Sequence, residues 1–110
     1  MSTLDHLMSL PGVYGAIEFS CTGELGEVRG ELEQDFAEII AQMCAANVAI
    51  YRMQATGWAK LTGQKGFLPQ RGFAFLSPEH ILMGMGSQAI LARSQDFDYD
   101  QAYTLFNKNV

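Results

Sequence analysis

Two cysteines, two histidines and one segment rich in glycine and lysine are the places where this chain could do chemistry. Cys21 stands in the run SCTGEL, where Gly23 marks a turn, and an exposed thiol there could carry sulfur or act as a redox centre. A reactive cysteine needs a nearby base or a helix N-terminus to hold its thiolate. Cys21 has Glu18, Glu24 and Glu27 around it instead, so a thiol carrier is an alternative reading and not the first one. Cys44 falls within FAEIIAQMCAANVAIY (36–51) and reads as a small core residue. His6 and His80 are far apart and have no second ligand at metal spacing. His80 follows Pro78-Glu79 and reads as a solvent-facing turn residue. The segment GWAKLTGQKG (57–66) misses the phosphate-loop pattern G-x-x-x-x-G-K-[ST]. Its glycines stand one residue too far apart, Gln64 takes the place of the lysine, and it closes a helix instead of opening one. No catalytic, cofactor-binding or metal-ligating set emerges, and the expectation is a protein that is not an enzyme.

Recognition is better supplied than catalysis. Asn47, Tyr51, Gln54 and Trp58 recur at i, i+4, i+7 and i+11, a polar and aromatic line along one helix, with Met43 one turn before it. Tyrosine and tryptophan are common interface anchors. Phe73, Phe75, Met83 and Met85 fall on neighbouring predicted strands. They read either as ordinary core or as a seam beside an open strand edge. The predicted partner interface is therefore Met43, Asn47, Tyr51, Gln54, Trp58, Phe73 and Phe75.

The elements that must hold these residues follow from period and punctuation. Thr3 and Asp5 (with Ser2) can cap a short helix whose Leu4, Leu7, Met8 and Leu10 share a face; Pro11-Gly12 ends it. Val13–Phe19 alternates as a strand, with Val13, Gly15, Ile17 and Phe19 on one side. Ser20–Gly23 turns the chain into a second, glycine-weakened strand from Leu25 to about Leu32. Acids at Glu33 and Asp35 then open a long helix to about Leu61. It is apolar nearly all round, which requires cover on two sides, one from its own sheet and the other from a partner. After a loop at Lys65–Gln70 come three more strands, Gly72–Ser77, Ile81–Met85 and Gln88–Arg93, and a last helix at Tyr99–Lys108. The fold class is α+β, a single domain over residues 1–110 in the order αββαβββα.

Composition narrows the function classes. Charged residues are only 17% of the chain and hydrophobic ones 48%. That charge fraction lies below the ~25% of an average soluble domain, as expected if part of the surface is hidden in an oligomer. The net charge of −5 argues against nucleic acid as a partner. Residues 1–38 hold eight acids against one base, whereas residues 39–95 hold five bases against one acid. That asymmetry suits either helix-end chemistry or a complementary second subunit. The longest apolar stretch is too short and too polar to span a bilayer, and the N-terminus lacks the pattern of a signal peptide. The expected location is the cytoplasm, with reduced thiols.

Taken together, the element order and the residues LDHLMSLPGVYGAIEF, the turn at Gly23, the alanine-rich long helix and the three-strand meander resemble the Roadblock/LC7 family. Gly12-Val13-Tyr14-Gly15-Ala16 matches that family's opening strand closely. The resemblance implies a five-stranded antiparallel sheet with profilin-like layering, the long helix on one face and the terminal helices on the other. It implies dimers, of this chain with itself or with a relative, joined through the third strand and the long helices. It implies a role as adaptor, scaffold or regulator of small GTPases. The loop Gly63–Arg71 and the phenylalanine-rich strand GFAFLS depart from the common pattern, as in a divergent bacterial member. A sensor domain that binds a small ligand between long helix and sheet is the alternative to the adaptor.

Overall fold

The computed structural model describes residues 3–64, 66 and 72–109. Five strands form one antiparallel sheet: β1 (Val13–Phe19), β2 (Leu25–Gly30), β3 (Gly72–Leu76), β4 (His80–Met85) and β5 (Gln88–Arg93). Their spatial order is β2-β1-β5-β4-β3, so β2 and β3 are the edges. The N-terminal hairpin and the C-terminal meander join at the centre, where β1 pairs with β5 from Val13↔Ala92 to Glu18↔Gln88. Helices α1 (Thr3–Met8) and α3 (Tyr99–Asn109) cover one face, and α2 (Gln34–Thr62) lies on the other. The expected loop Lys65–Gln70 lies, apart from Gly66, outside the described residues, as does the candidate cap Ser2.

Period-2 alternation sorts the sheet into two cores. Ala16, Ile81, Met83, Met85 and Ile90 meet Leu4, Leu7, Leu10, Ala102 and Phe106 beneath α1 and α3. Ile17, Phe19 and Ala89 meet Ala37, Ile40, Ala41, Cys44 and Val48 of α2. Met83 and Met85 are therefore core residues on the face away from α2 and form no patch with Phe73 and Phe75. The expectation for Val13 is corrected as well. The β1–β5 register slips between Val13 and Gly15, leaving Tyr14 as an extra residue. Such a bulge moves a side chain to the other face. Val13 consequently packs under α1 and α3, and Tyr14 turns toward α2.

Four glycines illustrate what close approach or backbone angle dictates. A Cβ at Gly15 would stand 2.7 Å from the Leu32 side chain, and one at Gly84 would stand 2.5 Å from the Phe73 ring that lies over it. Gly30, with φ +87°, closes β2 directly against the Tyr14 carbonyl oxygen. Gly63 takes φ 70° and ends α2 by donating its N–H to the Ala59 carbonyl, the left-handed cap that glycine favours.

Gly30→Ala combines a left-handed backbone angle with a clash against a carbonyl. It should destabilise the fold by about 2–3 kcal/mol, read as a lower urea midpoint at unchanged slope. An unaltered midpoint would show that the β1–β2 hairpin does not need this approach.

Candidate partner interface

The side of α2 that meets the sheet carries mostly small residues. Ala37, Ile40, Ala41, Cys44 and Val48 are buried, and no α2 residue after Val48 is. Larger apolar side chains point outward. Phe36, Ile39, Met43, Ile50 and Met53 are 47%, 52%, 47%, 53% and 75% exposed. With Ala46 they step alternately by three and four residues, the spacing of a coiled-coil seam. Trp58 and Leu61 extend the apolar surface to the end of α2, and Phe75 and Leu76 of β3 are more than half exposed as well. β3 is a sheet edge whose run GFAFL has no proline and no charge to guard its free backbone groups.

The seven predicted interface residues divide. Met43, Gln54, Trp58 and Phe75 are exposed. Asn47, Tyr51 and Phe73 are half-buried. The rings of Tyr51 and Phe73 stand 6.1 Å apart and tie α2 to β3 within one chain. Burial raises the Tyr51 hydroxyl pKa, with Arg52 opposing it. Sequence reasoning missed Phe36, Ile39, Ile50, Met53, Leu61 and Leu76. The signal for the first four was the three-four spacing, which a reading centred on Asn47 and Tyr51 passed over.

Charge along α2 is graded. Glu33, Asp35 and Glu38 stand at its start, and beyond Glu38 its only charges are Arg52 and Lys60. Two such helices run antiparallel would set acids beside bases.

The chemistry-bearing residues are dispersed. Cys21 is exposed in its turn, and Cys44 is buried, where desolvation pushes its thiol up to about 12. His80 is solvent-facing, as expected, but it belongs to a strand and not to the turn. It opens β4, and its Nδ1 lies 3.1 Å from the Tyr14 hydroxyl in a hydrogen bond. Burial raises the Tyr14 pKa, and the Arg93 charge opposes that rise. Among the described residues, no group of three or more His, Cys, Asp or Glu side chains could hold a metal, and no helix is long and apolar enough to cross a membrane.

Comparison with known proteins places this geometry. A family model described as "Uncharacterized conserved protein (DUF2173)" matches residues 3–108. No curated protein matches the sequence. Among solved structures, a Roadblock/LC7 domain from Streptomyces avermitilis superposes with a TM-score of 0.68 at 19% identity, over 96% of this chain and 88% of that one. MglB of Myxococcus xanthus gives 0.73 at 17% identity, over 96% and 84%. An MglB with a tetrameric arrangement gives 0.68 at 14%, over 97% and 78%. The fold is that of the Roadblock/LC7 domain.

The two thiols should behave differently. At pH 8, Ellman's reagent should titrate Cys21 alone in the native protein and both cysteines after unfolding. The folded chain holds the Cys44 proton to about 12, whereas the unfolded chain releases it near 9.0. The associated stability is complete below about pH 9 and is lost as pH rises toward 12. Rapid native labelling of both thiols would contradict this burial.

Proposed function

We propose that this chain, which belongs to the DUF2173 family and carries the Roadblock/LC7 fold, is a non-enzymatic homodimeric interaction module of the cytoplasm. It acts as an adaptor, and its partner is a small GTPase that it regulates or a complex that it scaffolds. The observation that carries the reading is the outward apolar row of α2 beside the unguarded edge of β3. A contiguous apolar surface on a soluble chain marks an interaction site. A second copy related by a two-fold axis satisfies both features at once. The β3 edges pair antiparallel, Phe75 meets its counterpart, and the α2 helices cross with Glu33, Asp35 and Glu38 of one copy near Arg52 and Lys60 of the other. Isologous contacts of this kind are the commonest in homo-oligomers. The MglB with a tetrameric arrangement supports self-association of the fold. Of the predicted interface residues, Met43, Gln54, Trp58 and Phe75 would touch the partner directly. Asn47, Tyr51 and Phe73 would set the helix–strand angle beneath them.

Light scattering behind a sizing column should give twice the chain mass, independent of dilution through the micromolar range. Met43→Glu combined with Phe75→Glu should give a folded monomer, and Gln101→Glu on the opposite face should leave the dimer intact. A wild-type monomer would refute the seam. For the GTPase, the dimer should alter GTP hydrolysis or nucleotide exchange of a small GTPase from the same genome at least severalfold. No effect on any of them, with no nucleotide-dependent binding, would reduce the proposal to a scaffold.

A further inference from the structure

A cleft of about 380 Å³ opens between α2 and the sheet at the end where β4 begins. Its lip is Phe36, Met43 and Phe75, and its floor includes Leu82 and Leu91. The volume lies within the range of small-molecule sites, and it holds roughly a dozen heavy atoms at the ~30 Å³ each water occupies in the liquid. One end is polar. The β1 bulge brings Tyr14 there, beside His80 and Ser77. Arg93 is exposed and stands outside the lining, at the rim; it pairs with His80 across the β4–β5 ladder, and its guanidinium carbon lies 5.9 Å from the centroid of the Tyr14 ring that lines the polar end. The ion pairs among the described residues belong to Arg29, so Arg93 has no carboxylate partner there. No acidic residue among those described lines the cleft.

We infer that this cleft binds a small monocarboxylate with an apolar body. The body lies on Phe36, Met43, Leu82 and Leu91, and the carboxylate faces His80 and Arg93. Two features select that chemistry over a neutral apolar compound. A guanidinium without an acid partner favours an anion and can bind a carboxylate in bidentate fashion. The Tyr14 hydroxyl can donate to His80 Nδ1, which leaves Nε2–H as a second donor. The remaining wall is largely apolar, which disfavours a second charge or a polyol there.

The test is calorimetric titration of the intact protein with octanoate, and with 1-octanol as the neutral match, alongside methyl spectra of Met43, Leu82 and Leu91. Octanoate should bind saturably with a submillimolar dissociation constant, at least tenfold tighter than octanol, and shift those methyls. Arg93→Gln should remove the tenfold preference and leave octanol binding as it was. Leu82→Phe, checked for folding by circular dichroism, should block both ligands; if that variant does not fold, Arg93→Gln decides alone. Absence of saturable octanoate binding to about 5 mM would overturn the inference, as would octanol binding equally well.

Discussion

A helix of 29 residues cannot be covered by a sheet whose strands are five to seven residues long. At 1.5 Å per residue α2 runs ~44 Å. The sheet measures ~23 Å at most along its strands and ~19 Å between its edge strands. Burial along α2 accordingly stops at Val48, and the fourteen residues from Ala49 to Thr62 have no buried member. Propensity and backbone hydrogen bonds can carry the helix past the sheet, but they cannot hide Ile50, Met53, Trp58 and Leu61. Each such side chain is worth ~1.5–3 kcal/mol when fully buried, whereas an exposed ion pair contributes ~0–1 kcal/mol. For the proposed partner, the apolar row would therefore decide where it sits, and the graded charges only which way round it lies.

The same constraint explains why the sheet-facing side of α2 is built from small residues. A helix laid close on a sheet has little room between backbones, and Ala37, Ala41 and Cys44 keep it there. The sheet supplies the bulk instead, through Ile17, Phe19, Leu82, Leu91 and Phe73. Two of its own positions give up a side chain for this. Gly15 admits Leu32, and Gly84 admits the Phe73 ring. The opposite face is closed differently. Leu4, Leu7 and Phe106 are fully buried under two short helices, and Arg29 of β2 bonds Asp5 of α1 at 2.9 Å across its rim. Only the α2 face is left unfinished.

Much of this was legible in the residues, and the failures have physical causes. The strand limits of β5 and the end of α2 at Gly63 follow from alternation and from glycine's freedom at positive φ. The side of Val13 did not, because a bulge breaks alternation without leaving a mark in composition. The need for cover on two sides of α2 followed from its all-round apolarity. Which stripe faced which layer did not. Size suggests Phe36, Ile39 and Ile50 for the core, yet close helix–sheet approach selects the small residues and turns the large ones out. The line through Tyr51 was read as outward for a related reason. An aromatic at the stripe boundary can turn either way, and here Phe73 on β3 draws it inward. Tyr14 and His80 are 66 residues apart, so no local pattern could announce their hydrogen bond.

The seam and the cleft are not independent, because Phe36, Met43 and Phe75 belong to both. A second copy laid on the α2 row closes the lip of the cleft, and a molecule in the cleft changes the surface that the second copy meets. Their binding free energies are then coupled, and the coupling is reciprocal: a ligand that tightens the dimer tenfold is itself bound tenfold more tightly by the dimer. Its sign depends on Phe75. If the ring packs over a bound molecule, it leaves the edge and weakens β3 pairing. If it stays on the edge, the ligand fills space that the dimer would otherwise leave empty behind it, and association gains. With both proposals in place, partner choice and small-molecule state would rest on the same three side chains, Phe36, Met43 and Phe75.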